Sequence, residues 1–180
     1  MEEVTDAPEP AGTDGAETVP WLDSQQINAW KALMGLVMTL PVALDAQLKR
    51  DAGLNAFEYH VMASLAEAPG RTRMMSELAV QARGSLSRLS HAVSRLERDG
   101  WVERRSCGGA GRRTEARLTD QGWEKIQEAA PGHVREARRL VVDTLSAEQL
   151  TALGEAARKV VAVTDPVIAE MMERDRCGGC

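Results

Sequence analysis

An amphipathic pattern between residues 85 and 99 constrains the fold of this 180-residue chain more than any other feature. Its apolar side chains recur every three or four positions and are Leu86, Leu89, Val93 and Leu96. This spacing predicts a helix with one apolar stripe. Ser85 precedes the stripe as an N-cap, and Gly100 follows it as a stop signal. Since such a helix must bury its leucines against other elements, we expect it to lie in a packed domain.

The neighbouring segments predict a motif around this helix. Before it, Ser76 reads as the N-cap of a short helix over residues 77–81, and Gly84 breaks that helix. After it, residues 101–105 and 114–118 read as strands joined by the glycine-rich stretch 106–111. A short helix, a tight turn, a longer helix and a hairpin follow one another in a winged helix-turn-helix, so we predict that motif here.

The face of the 85–99 helix opposite the leucines carries small hydroxyl groups, one imidazole and guanidinium groups. Its members are Ser85, Ser87, Arg88, His91, Ser94, Arg95 and Arg98. Hydroxyls let a helix approach a groove floor, and arginines reach guanine edges or phosphates. At the hairpin tip, Arg112 and Arg113 could enter a minor groove. Arg104, Arg105 and Arg117 on the strands fit backbone contacts or structural ion pairs better than base reading.

The charge distribution agrees with a nucleic-acid partner. The whole chain carries −5, but residues 71–117 carry +6, with eleven arginines, five acids and no lysine. Residues 1–20 carry −6 and have almost no large apolar side chain, so we expect an acidic disordered tail there. The basic charge is thus confined to the predicted DNA-binding segment.

Helices are predicted on both sides of this segment. One begins near Asp23, which pairs with Gln26 as a cap, and ends at Gly53; we expect a kink or break at its Pro41. Others are predicted after the caps at Asn55, Thr119 and Ser146: a second helix ending near Pro69, a fifth with an interruption at Pro131 left open, and a sixth reaching about Met172. The predicted fold class is mainly α with a small β-hairpin wing.

The sequence resembles the MarR family of winged helix-turn-helix regulators over about residues 21–165. The motifs that carry the resemblance are GL at 53–54, EY at 58–59, PGRTRMMSELA at 69–79, SLSRLSHAVSRLERDGWV at 85–102 and ARLT at 116–119 with Gly122. One departure is that residues 107–113 contain no acid, where family wings usually carry an Asp before the tip arginine.

The resemblance implies a DNA-binding regulator, most simply a repressor, that binds a pseudo-palindromic operator as a homodimer and responds to a small-molecule effector. The implied domains are an acidic tail (1–20), an N-terminal dimerisation helix (21–55), the DNA-binding domain (56–118), C-terminal dimerisation helices (119–172) and a cysteine-containing tail (173–180). Candidate effector contacts are Trp30, Met34, Met38, Tyr59, Met62 and His133, most of which core packing explains equally well.

The cysteines leave an alternative open. Cys177 and Cys180 form a Cys-Gly-Gly-Cys spacing that suits a redox pair or half a zinc site, while the histidines lie without ligand spacing, so we expect no metal and no cofactor. A thiol-based redox-responsive regulator and a winged-helix protein-interaction module without DNA binding are the two alternative readings. Redox sensing by this pair would be a variant of the regulator, whereas the interaction module would replace it.

Catalysis and membrane insertion are not expected. The chain has no nucleophile elbow, phosphate loop or metal-ligand spacing, so we do not expect an enzyme. No targeting signal is visible, and the most apolar stretch, residues 32–44, is too short to span a bilayer. An odd number of cysteines favours a reducing compartment, and we expect a cytoplasmic protein without a membrane partner.

Overall fold

The computed structural model describes residues 19–82, 84–107 and 113–177; for residues 107, 113 and 174–177 it describes the backbone alone. The helices are α1 Ser24–Ala52, α2 Ala56–Ala66, α3 Met75–Gln81, α4 Leu86–Arg98, α5 Asp120–Leu140, α6 Ala147–Thr164 and α7 Pro166–Cys177. The strands are β1 Thr72–Met74, β2 Val102–Cys107 and β3 Arg113–Leu118. The mainly helical fold with a small antiparallel sheet confirms the predicted fold class.

The chain divides into two compact units, Met1–Val37 and Met38–Cys180. The described part of the first unit is an exposed lead-in and the N-terminal portion of α1. The second unit contains the hydrophobic core, which the C-terminal end of α1, α2, α3, α4, the sheet and the first half of α5 build together. Fully buried members of this core include Leu54, Met62, Leu78, Leu89, Leu96 and Leu118.

Reciprocal caps define the first two helices as predicted. Asp23 accepts a hydrogen bond from the Gln26 amide at 2.8 Å, and the Gln26 side chain accepts one from the Asp23 amide at 2.9 Å. Asn55 and Glu58 form the same box at the start of α2. Gly53 takes a left-handed φ of 69° after α1, which a side chain would resist.

Two predictions about prolines are tested by the helices that contain them. The prediction at Pro41 was a kink or a break; helix α1 continues through Pro41, so the break is wrong and the kink stays a prediction. The interruption left open at Pro131 is absent, because α5 runs without a gap from Asp120 to Leu140. The single long sixth helix is also wrong, since α6 ends at Thr164 and α7 begins at Pro166.

The predicted cap at Ser76 is wrong because an additional strand precedes α3. Strand β1 pairs with β3, with Thr72 opposite Arg117, and the chain turns directly from β1 into α3. Helix α3 therefore begins at Met75, with Met74 in the cap position and no side-chain cap. The Ser76 hydroxyl lies inside the first turn of α3.

The three strands form one antiparallel sheet in the order β1, β3, β2. Strands β2 and β3 form the predicted hairpin, with Val102 opposite Leu118 and Arg105 opposite Glu115. Thr119 caps α5 immediately after β3, since its side chain accepts a hydrogen bond from the Gly122 amide at 3.0 Å. Helix α7 extends to Cys177, into the segment expected to be a tail.

Helix α1 is long and apolar enough to cross a membrane by length and composition. The sequence-based exclusion considered only residues 32–44, whereas α1 has 29 residues. Its apolar window is not buried within this chain. Exposed apolar patches larger than a few hundred Å² often mark interaction sites in water-soluble proteins.

Candidate nucleic-acid interface

Helix α4 buries one face in the core of the second unit. Its inward side chains, Leu89, Ala92, Val93 and Leu96, are at most 1 % exposed. Leu86 was predicted to belong to this stripe and does not, because it is 58 % exposed. It lies in the first turn at the edge of the stripe, and the buried face is rotated toward Ala92. The remaining leucines face inward as predicted.

The opposite face of α4 is open to solvent. Its predicted residues, Ser85, Ser87, Arg88, His91, Ser94, Arg95 and Arg98, are all exposed. Ser85 holds the start of the helix, since its hydroxyl accepts a hydrogen bond from the Arg88 amide at 3.1 Å. This face can therefore approach another molecule without unfolding any part of the core.

The first turn of α2 holds both arginines in the middle of this face. The Arg88 guanidinium carbon lies 4.2 Å from the centre of the Phe57 ring, a cation–π contact. The Arg95 Nε donates a hydrogen bond to Glu58 Oε1 at 2.6 Å. Glu58 is 7 % exposed, and its other oxygen accepts a hydrogen bond from the Asn55 amide. One carboxylate thus caps α2 and anchors α4.

An open groove of about 900 Å³ runs between α4, the start of α2 and the C-terminal part of α1. Its charged lining comprises Asp45, Lys49, Arg88 and Arg95, with His91 beside them. Lys49 pairs with Asp45 at 2.7 Å, and the Asp45 carboxylate also accepts a hydrogen bond from the Ala56 amide at 2.8 Å. These two hydrogen bonds keep the pKa of Asp45 below its ordinary value. The net charge of the lining is positive, which suits an anion.

The strand arginines bind acidic side chains of the same domain. Arg104 lies 3.4 Å from Glu97, and Arg117 lies 3.1 Å from Glu103, which also pairs with Arg105. These ion pairs agree with the structural role predicted for the three arginines. Arg104 also donates to the Ser94 hydroxyl at 2.7 Å, so it supports the polar face of α4 from behind.

The sequence did not identify Phe57, Glu58 and Arg104 as supports of this face. Phe57 packs against the core and Glu58 completes the capping box of α2, and each has a second role on α4. No local signal could reveal the second roles, because the contacting residues are separated by 31 and 37 positions in the chain. Only the packing of α2 against α4 brings them together.

The predicted wing and cysteine residues are only partly described. Arg112 and Cys180 lie outside the described residues. The backbone of Arg113 begins β3 and that of Cys177 ends α7. In the part of the chain whose side chains are described, no three His, Cys, Asp or Glu residues cluster so that they could hold a metal ion.

Two of the six candidate effector contacts touch each other in the second unit. Tyr59 and His133 meet, with ring centres 4.6 Å apart, and Met62 is fully buried in the core. Trp30 and Met38 are 53 % and 67 % exposed, and Met34 is intermediate. Burial lowers the pKa of His133, so the neutral imidazole is favoured. Its Nδ1 is buried without a hydrogen-bond partner, as is Oε1 of Gln47 on α1.

The comparisons with known proteins point to one family. No protein-family model and no curated protein matches the chain. Among solved structures, Sco3205, a MarR family transcriptional regulator from Streptomyces coelicolor in complex with DNA, is 42 % identical, with a TM-score of 0.78, over 82 % of this chain and 92 % of that one.

Two further structures from Streptomyces coelicolor are similar. The MarR family regulator AbsC is 33 % identical, with a TM-score of 0.75, over 80 % of this chain and 97 % of that one. The regulator PcaV, solved with its natural ligand, is 19 % identical over 81 % of this chain and 99 % of that one, with a TM-score of 0.66, and shows the fold alone.

The chain is 42 % identical to a known member over nearly the whole of that member's length, and it has a winged helix-turn-helix with an exposed polar face on α4. These findings confirm the sequence-based resemblance and the prediction of a regulator that is not an enzyme. The chain belongs to the MarR family of transcriptional regulators.

Proposed function

We propose that this chain is a DNA-binding repressor that inserts α4 into the major groove of a pseudo-palindromic operator. The observation that carries the proposal is the division of α4 into a fully buried leucine face and an exposed face of serine, histidine and arginine. The relative at 42 % identity is a family regulator in complex with DNA. Arg88, His91 and Arg95 are the residues that we expect to approach base edges or phosphates.

Electrostatics favours one orientation of the chain on DNA. Residues 71–117 carry +6, and the flanking segments are acidic. A polyanion therefore attracts the winged domain and repels the rest of the chain. Within the winged domain, Arg104, Arg105 and Arg117 share the two carboxylates of Glu97 and Glu103, so most of their charge is balanced. The groove beside α4 keeps a net positive lining.

A homodimer accounts for the exposed apolar surface. On α1, Trp30, Val37 and Val42 are each more than half exposed, and on α6 Val163 is 85 % exposed. A second copy that covers such faces about a two-fold axis gives two α4 helices, which can meet two successive major grooves about one helical turn apart, ~10 bp. This arrangement matches a pseudo-palindromic operator.

A small-molecule effector completes the proposal. Tyr59, His133 and Gln47 bring an aromatic face and two unpaired buried polar atoms into one region, where α1, α2 and α5 supply side chains. A ligand that binds one arrangement of the dimer better than another shifts the spacing of the two α4 helices. We place this regulator in the cytoplasm, because the operator DNA that it is proposed to bind lies there.

The test begins by selecting bound sequences from random duplexes with the full-length chain. The Arg88→Ala, Arg95→Ala double variant should then lose at least about 100-fold in affinity for the selected operator, since each arginine contact contributes roughly 1–3 kcal/mol. The Arg138→Ala, Arg139→Ala double variant is the charge-matched control, because both arginines are exposed on α5 and pair with the acidic side chains of Asp143 and Glu136. Equal affinity of the double variant and the control would exclude α4 as the reading element.

The dimer is tested separately by sedimentation equilibrium. We expect twice the chain mass, and Val42→Glu on the exposed face of α1 should shift the protein toward monomer. A monomeric wild type would contradict the dimer, and recovery of the protein in the membrane fraction would assign α1 to a bilayer instead.

A further inference from the structure

We propose that Phe57 is a specificity-determining positioning residue, whose ring holds the guanidinium of Arg88 in the orientation that reads DNA. The inference rests on the proposed DNA-binding function. In this proposal α2 contributes to the discrimination between DNA sequences. Arg88 and Arg95 then have different roles, although both lie on the exposed face of α4.

The two arginines are held through different parts of their guanidinium groups. The Arg88 guanidinium carbon lies over the Phe57 ring, 4.2 Å from its centre, and this contact uses the charge of the group without committing an N–H donor to an oxygen or nitrogen acceptor. Arg95 donates its Nε–H to the buried Glu58 at 2.6 Å and loses that donor to the fold. Bidentate recognition of guanine requires a pair of N–H donors in one plane. Arg95 keeps its terminal Nη pair for such contacts, but Glu58 fixes the guanidinium and balances its charge, whereas the Phe57 ring leaves the charge and the N–H donors of Arg88 available. Arg88 is therefore the better base reader, and Arg95 is the better anchor.

The position of the Phe57 ring is itself constrained. Phe57 is half-buried and packs against the core of the second unit. The backbone of Gly84 lies so close to the ring that a Cβ on Gly84 would be 2.7 Å from Cζ and 2.8 Å from Cε2. The lack of a side chain on Gly84 therefore gives the ring the space that it occupies.

Gly84, Phe57 and Arg88 thus form one stack at the turn between α3 and α4. Gly84 contacts the edge of the Phe57 ring, the core packs against the ring, and the Arg88 guanidinium lies over its face. A side chain held in its bound orientation loses less conformational entropy when it binds. Removing the ring should therefore weaken discrimination between operators without removing any charge from the interface.

The experiment compares Phe57→Leu, which removes the aromatic face, with Phe57→Tyr, which keeps it. Binding of each full-length variant is measured on the operator selected by the wild type and on a panel of single base-pair substitutions. Phe57→Leu should reduce the preference for the selected operator by about two- to fivefold per half-site, the range of an exposed cation–π contact. Phe57→Tyr should restore the preference, and the dependence of affinity on salt should stay unchanged because the charge is unchanged.

A double-mutant cycle with Arg88→Ala separates positioning from general destabilisation. If Phe57 acts through Arg88, Phe57→Leu should have no further effect on discrimination in the Arg88→Ala background. An undiminished preference in Phe57→Leu, or an equal loss with and without Arg88, would overturn the inference. If the wild type itself selects no duplex, the proposed function fails instead, so the two failures are distinguishable.

Discussion

Gly122 packs closely against Trp101 at the joint between the winged domain and α5, so a side chain at this position tests how tight the joint is. It lies in the first turn of α5 and is buried. A Cβ at this position would lie 2.1 Å from the Trp101 carbonyl oxygen and 2.8 Å from Leu118 Cδ1. Thr119 also donates from its amide to Trp101 and from its hydroxyl to Gly100, at 3.0 and 2.7 Å. This joint links the end of α4 to the start of α5.

The cost of Gly122→Ala follows from these distances. The distance between the new Cβ and the Trp101 carbonyl oxygen must increase from 2.1 Å to at least 3.0 Å. A backbone oxygen cannot avoid the Cβ by changing rotamer, so the backbone itself must shift. Overpacking of this kind costs about 3 kcal/mol or more, and alanine returns up to ~1 kcal/mol of helix propensity. We therefore expect a net loss of about 2 kcal/mol in the free energy of unfolding, or a fall of roughly 4–8 °C in the melting temperature.

Gly154→Ala is the matched control. Its Cβ would lie 3.5 Å from the end of the Arg158 side chain, an ordinary contact, so only the propensity gain of up to ~1 kcal/mol remains. Urea unfolding followed by circular dichroism, at one fixed protein concentration, compares the two variants with the wild type. If Gly122→Ala proves as stable as Gly154→Ala, the tight joint between Trp101 and α5 is refuted.

Three further predictions concern single side chains. Glu58→Ala removes the acceptor for the Asn55 amide and the ion-pair partner of Arg95, which is 47 % exposed. Urea unfolding should therefore show a loss of about 1–2 kcal/mol in the free energy of unfolding. An unchanged midpoint would contradict both contacts. Burial lowers the pKa of His133, so below about pH 6.5 the unfolded chain binds a proton at this imidazole more readily than the folded chain, and the fold loses stability. Between pH 7 and pH 5 the melting temperature of His133→Gln should therefore fall less than that of the wild type. Equal falls in the two proteins would contradict the lowered pKa of His133. Ser85→Ala should cost about 1 kcal/mol of stability, and Ser85→Asp should restore the cap while weakening DNA binding by charge repulsion, as melting and anisotropy would show.

Local signals predicted the helix starts well. Asn55 with Glu58 and Ser146 with Gln149 form reciprocal caps because each box needs only the geometry of one helical turn. The amphipathic stripe of α4 is local in the same sense, and three of its four predicted apolar members are buried. Such features follow from residues within a few positions of one another.

The prolines show where local reasoning was incomplete. Pro166 begins a new helix because Asp165 precedes it, and the Asp165 side chain accepts a hydrogen bond from the Ile168 amide at 3.1 Å. Leu40 and Ala130, which precede Pro41 and Pro131, have no side chain that could start a new helix, and both helices continue. The Asp-Pro pair was a readable signal that the predicted helix boundaries did not use.

Features that depend on distant parts of the chain could not be read from the sequence. Strand β1 has only three residues, and it exists because β3, more than forty positions away, pairs with it. The contacts of Arg88 with Phe57 and of Arg95 with Glu58 likewise depend on how α2 packs against α4. The sequence therefore identified the polar face but not the supports that distinguish its members.

Protection of guanine N7 from methylation by dimethyl sulfate tests the central claim most directly, because N7 lies in the major groove. With the full-length chain on its selected operator, we expect two protected patches about one helical turn, ~10 bp, apart, and their loss with the Arg88→Ala, Arg95→Ala double variant. Tight binding without protection of N7, or a single protected patch, would contradict a dimer that places two copies of α4 in successive major grooves.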